Sequence, residues 1–174
     1  MAADDNNNDN AVVFLIAAIR PVKAGAGKFI DRMRAQNPNV HVQAVDAQAV
    51  FGRDHAEGVL HIALEAYRRG VMIAGKVETE ILLRAACTDQ IADALKKAGL
   101  KDGRPGCVIA FSDDKKAIEE LGSYLEKVAG LDDDDGAILP TPEKRKKLAK
   151  EHGIKNEGRL LESLLEKAAI LVKG

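Results

Sequence analysis

The chain has 174 residues, which one domain of ordinary size accommodates and two full ones would not. Its 26 Lys+Arg offset 27 Asp+Glu to a net −1, which excludes a uniformly basic nucleic-acid coat but not a local basic patch. Hydrophobic residues at 46% fit a globular domain; aromatics at 3% argue against a base-stacking platform, and two cysteines are too few for a disulfide scaffold or a Cys-rich zinc site. The charge is uneven: residues 1–10 contribute −3, Asp132 to Asp135 contribute −4, and residues 136–174 contribute +4.

Residues 1–10 read as a disordered acidic tail and residues 11–174 as a single α/β domain. An acidic start is the opposite of a signal peptide, and Ala11–Ile19 falls short of the ~20 residues of a membrane helix, so a cytoplasmic location is expected. Ala11–Ile19 reads as a strand buried on both faces. Gly25-Ala26-Gly27 opens a helix to about Ala35, and Val40–Val45 is a second strand. Asp54 with Glu57 resembles a capping box for a helix that ends at Gly70. Glu78–Ala86 is a shorter helix, followed by one whose inward stripe is Ile91, Ala94, Leu95 and Ala98. Pro105–Phe111 is a third strand, then a helix runs to about Val128, and Gly136–Leu139 reads as a short edge strand before Pro140. Thr141-Pro142-Glu143 starts a basic helix, and a Leu-rich helix spans about Glu157–Val172. These elements predict a two-layer α/β domain with a small mixed or antiparallel sheet of about four strands.

No catalytic constellation survives inspection. Gly25-Ala26-Gly27-Lys28 lies between a strand and a helix, but Val22 and Phe29 stand where a phosphate loop needs Gly and Ser/Thr. His55 and His61 are six apart, not the four that puts two zinc ligands on one helix face. Asp132, Asp134 and Glu143 match part of a calcium loop whose required Gly is Ala137. No cofactor, metal or small-molecule substrate is expected, and an interaction protein becomes the leading class.

The informative stretch is Glu80 to Lys101. Its polar residues Arg84, Gln90, Lys96, Lys97 and Lys101 suit either an ordinary solvated face, with lysines favourable to a helix C-terminus, or a binding face. Thr79-Glu80-Ile81, Arg84-Ala85, Gln90-Ile91 and Ala94-Leu95-Lys96-Lys97 with Gly99 resemble the signature of the PRPK-binding-protein family, the kinase-partner and tRNA-recruiting subunit of the KEOPS complex. Val59-Leu60-His61 and Leu165-Glu166-Lys167-Ala168 resemble further family steps.

The resemblance implies a non-catalytic subunit that docks on a small kinase-like ATPase and holds the single-stranded 3′ CCA end of tRNA during threonylcarbamoyladenosine modification. It implies tRNA contacts at Arg84, Gln90, Lys96, Lys97, Gly99 and Lys101. The kinase contact is expected on the surplus apolar face of the last helix, at Leu165, Ala168 and Leu171. That face has a second reading, packing on the chain's own core. The alternative function is a regulator of the kinase with little intrinsic RNA binding.

Overall fold

Side chains on a strand alternate between two faces, and here both faces are apolar, so helices must cover both. The computed structural model describes residues 11–174 except Ala24, Asp133 and Asp134; the expected tail at residues 1–10 lies outside the described residues. The elements are β1 (Val13–Ile19), α1 (Ala26–Gln36), β2 (His41–Asp46), α2 (Arg53–Arg68), α3 (Val77–Ala86), α4 (Ile91–Ala98), β3 (Gly106–Ser112), α5 (Lys115–Val128), α6 (Pro142–Glu151) and α7 (Leu160–Ala169). β3 is the central strand, antiparallel to both neighbours in the order β1-β3-β2. Cys107, Ile109 and Phe111 face a core shared with α2, α3 and α4. Val108 and Ala110 face a second core closed by α1 and α5. A smaller cluster of Phe51, Leu148, Leu160 and Leu164 joins α6 to α7.

The mixed α/β class holds, with helices on both sheet faces rather than in one layer, and with three strands rather than about four. Gly136–Ile138, expected as a strand, is a 3-10 turn. Asp132 accepts from the Ala137 amide at 3.0 Å, and Asp135 takes a left-handed conformation, which winds this backbone. β1, expected to be buried on both faces, is an edge strand whose Val13, Phe14, Leu15 and Ala17 are only half-buried, and polar groups obstruct its edge. Arg53 donates to the Ile16 carbonyl at 2.9 Å, and the Asp132 amide donates to the Ala18 carbonyl at 2.9 Å. On the other edge Arg34 donates to the Val42 carbonyl at 3.1 Å. Such obstruction prevents strand addition from another chain.

Two helices depart from a one-sided pattern. α3 buries eight of its ten residues, including Glu80 and Arg84, because it lies among α2, α4, α7 and β2. α4 does the reverse. It packs on Ala94 and Ala98, while Ile91 and Leu95, expected in the inner stripe, are 53% and 55% exposed. At the end of α4 Gly99 bridges to Val45, and a Cβ on it would meet the helix's own Leu95 carbonyl oxygen at 2.5 Å.

His55 is buried at the start of α2. Its Nδ1 accepts from the Phe51 amide at 3.1 Å, which places the ring hydrogen on Nε2, a buried atom without a partner among the described residues. Burial first, then the nearby His152 and Lys144, push its pKa down to about 4. The unfolded chain therefore takes up this proton near pH 6.5 and the folded chain only near 4, so His55 lowers stability progressively as pH falls through that window. Urea denaturation should show a loss of about 2 kcal/mol between about pH 7 and pH 5 from this group. His55→Asn, whose amide oxygen can still accept from Phe51, should remove most of that dependence.

Candidate functional site

Polar chemistry in the described chain centres on the C-terminal segment and its anchor. Arg84 and Glu80 are 3% and 0% exposed and one helical turn apart. Arg84 Nε and Nη2 both donate to Glu80 Oε1, at 2.9 and 2.7 Å. The other carboxylate oxygen accepts from the Ala74 amide at 2.8 Å. Arg84 Nη1 donates to the carbonyls of Ala168 and Leu171, at 2.7 and 3.0 Å. One guanidinium thus ties the loop before α3 to the end of α7, supplying donors to carbonyls that a helix C-terminus leaves unpaired.

Beyond that anchor, residues 169–173 separate two cavities. On one side is a cleft of about 1130 Å³ between the end of α2 and the C-terminal segment. Arg68, Arg69 and Lys173 line it, with Val71 and Val172 as apolar walls. On the other side a pocket of about 290 Å³ is lined by Cys87, Lys97, Glu151, His152, Lys167, Ile170 and Leu171, two lysines against one acid. It shares Lys167 and Ile170 with a neighbouring pocket of about 540 Å³ that adds Ile154, Lys155 and Asn156. Ile170 is 73% exposed between them. Burial first, then Lys97 and Lys167, hold the His152 pKa below its usual value against an opposing pull from Glu151. The two lysines therefore supply the positive charge here. Burial pushes the Cys87 thiol up to about 11 and the Cys107 thiol up to about 12, so neither is a thiolate nucleophile at neutral pH. The arrangement suits binding an anion beside an aliphatic surface.

The family model described as kinase binding protein CGI-121 matches residues 22–171. This chain belongs to that family. It is also 31% identical over 138 residues to the "Regulatory protein Cgi121" of Methanocaldococcus jannaschii, a match that covers 78% of this chain and 86% of the relative.

In this CGI-121 family member the residues singled out from sequence divide into surface and frame. Gln90, Lys96 and Lys97 are exposed on α4, and Lys97 enters the smaller pocket. Arg84 is not at a surface corner; it sits inside the protein because α3 is buried nearly all round. Gly99 is buried at the tight end of α4. Lys101 is half-buried, donating to the Gly99 carbonyl at 3.1 Å and lying 3.7 Å from Asp46. Of the three positions expected at the kinase contact, Ala168 is fully buried and Leu165 is half-buried over Gly58, where a Cβ would lie 2.5 Å from the leucine Cδ2. Leu171 is half-buried and reaches both cavities. Sequence reading missed His152, Lys155, Lys167 and Ile170; the +4 charge of residues 136–174 was the available signal.

Removing Arg84 leaves a buried carboxylate and two carbonyls without donors. Arg84→Ala should cost about 3–5 kcal/mol in denaturant unfolding. Replacing both members with aliphatic residues, Glu80→Leu with Arg84→Met, should recover much of that loss, because the uncompensated charge is then gone.

Proposed function

We propose that this chain is the non-catalytic subunit of a KEOPS-type complex that docks the small kinase-like ATPase subunit and holds the single-stranded 3′ CCA end of tRNA, supporting threonylcarbamoyladenosine modification. Membership of a kinase-binding family supports the first half. The observation that carries the second is the pair of joined pockets, where Lys97 and Lys167 meet His152 beside the exposed Ile170. A short single strand needs a few phosphate contacts and apolar surface for its bases, not a basic coat. Lys97, Lys96 and Gln90 contact the nucleotides from α4, and Lys167 and His152 contact them from the α6–α7 side. Ile91, Leu95 and Ile170 take the place of aromatic platforms. Arg84, Gly99 and Lys101 act behind this surface by fixing α4 and the C-terminal segment. The kinase takes the opposite cleft, where Val71 and Val172 are exposed and Leu171 is half-buried; Leu165 and Ala168 support it from within.

Titration with intact tRNA and with tRNA trimmed of its CCA tests this reading. Binding to the intact molecule that is lost on trimming is the expected result. Equal binding to both, or none, would leave a kinase regulator with little intrinsic RNA affinity.

The two lysines and His152 make separate predictions. Neutralising Lys97 or Lys167 should flatten the slope of log affinity against log salt by about 0.7 each. A phosphate between those lysines relieves their repulsion of His152 and favours its protonation, so affinity for tRNA should rise as pH falls from about 7.5 towards 6. His152→Ala should bind with little pH dependence over that range.

A further inference from the structure

The basic excess of the C-terminal part of the chain gathers along α6. Residues 143–157 carry six Lys or Arg and three Glu, and two of those acids, Glu143 and Glu157, are the end residues. Two of the cations hold the helix in place. Lys144 is buried and donates to the carbonyls of Ala47 and Ala137, at 3.1 and 2.8 Å. Arg145 is half-buried, donates to the Glu157 carbonyl and lies 4.9 Å over the Phe51 ring. With α6 fixed in this way, Lys146, Lys147 and Lys150 stand on its exposed side. Lys146 and Lys150 are one turn apart, about 6 Å along the axis. Lys147 lies 3.8 Å from Glu151 in an exposed pair, which contributes little.

This row leads into the joined pockets. Glu151 and His152, at the end of α6, line the smaller pocket, and Lys155 lines its neighbour. Lys146 is six residues before His152, about 9 Å back along the helix. The other borders are less favourable to a polyanion. α7 exposes Glu162 and Glu166, and the start of α4 carries Asp89 and Asp93. Past the end of α4, Lys101 and Arg104 face the buried Asp46 carboxylate, at 3.7 and 3.2 Å. Beyond its first turn α6 exposes Lys146, Lys147, Lys150 and Glu151, while Leu148 and Ala149 are buried. It therefore has no apolar anchor of the kind found at the core of a protein interface, where lysine is depleted. It also has no surface on which unstacked bases could lie. A double-stranded phosphate backbone requires neither.

We infer that α6 is a second nucleic-acid site, where Lys146, Lys147 and Lys150 contact phosphates of the RNA duplex that carries the single-stranded end. This rests on the reading that the pockets hold that end, and it extends the contact to the stem behind it. The lysines act as point charges on the backbone, so the site does not read sequence. Three exposed contacts hold the stem weakly by themselves and add to affinity once the end is seated.

The test compares two probes, intact tRNA and a single-stranded RNA oligonucleotide ending in CCA, titrated against the full chain at several salt concentrations. The variant Lys146→Gln with Lys147→Gln and Lys150→Gln should bind intact tRNA about tenfold more weakly. Its slope of log affinity against log salt should flatten by about 0.9 for each lysine lost. Its affinity for the oligonucleotide should stay unchanged, which also shows that it is folded. Lys146→Arg with Lys147→Arg and Lys150→Arg keeps the charge and should retain tRNA affinity. Lys97→Gln, in the pocket, should weaken both probes. Unchanged tRNA affinity in the glutamine variant, or equal losses for both probes, would overturn the inference and leave the reading of the pockets in place. A wild-type chain that binds neither probe would overturn both. Weakened kinase binding with tRNA binding intact would assign the row to a protein partner and likewise overturn it.

Discussion

A guanidinium and a carboxylate buried one turn apart on the same helix form the constraint on which the binding surfaces depend. Desolvating each ion is worth several kcal/mol against folding. Arg84 and Glu80 offset this with a shared contact at 2.7 Å and with backbone partners on two other segments. The result differs from a surface ion pair, which contributes little. Here the pair organises backbone: the Ala74 amide at one end and the Ala168 and Leu171 carbonyls at the other. Without it α7 would end with unpaired carbonyls, and residues 170–173 would lack a fixed course between α2 and α4.

That course places one strip of chain between two chemically distinct cavities. Leu171 faces both, Val172 lines the larger cleft and Ile170 the smaller pockets. Under the proposed function, a thin, anchored partition lets the kinase and the RNA end each read one side of the same segment. In the proposed function the lysines at the smaller pocket act together with half-buried His152 and exposed aliphatic side chains, which is compatible with a net charge of only −1.

Much of the fold was legible because its signals are local. The apolar run of β3, the Thr141-Pro142-Glu143 start of α6 and the apolar spacing of α2 each depend on neighbours in sequence. One error is local: Gly136–Leu139 reads as extended, but the Asp132 carboxylate on the Ala137 amide and the left-handed Asp135 wind it. The others have tertiary causes. Ile91 and Leu95 form a plausible inner stripe, but α4 turns Ala94 and Ala98 to the core and leaves both larger side chains exposed. Arg84 looks like an exposed cation because helical spacing cannot reveal that α3 is surrounded. Its place four residues after Glu80, within the stretch that carried the family resemblance, gives it a buried carboxylate partner. The basic pocket was legible only in part, since it joins α4 to the α6–α7 connection, about 55 residues apart in sequence.

In the proposed function, the segment anchored by Arg84 presents a different partner surface on each side. Hydrogen exchange of the full chain, measured alone, with the kinase and with tRNA, addresses it most directly. The kinase should protect the end of α2 and residues 171–173. Intact tRNA should protect α4 and residues 152–155 and 167–170, and CCA-trimmed tRNA should not. Protection by either partner confined to the opposite face, on α1 and α5, would contradict the account.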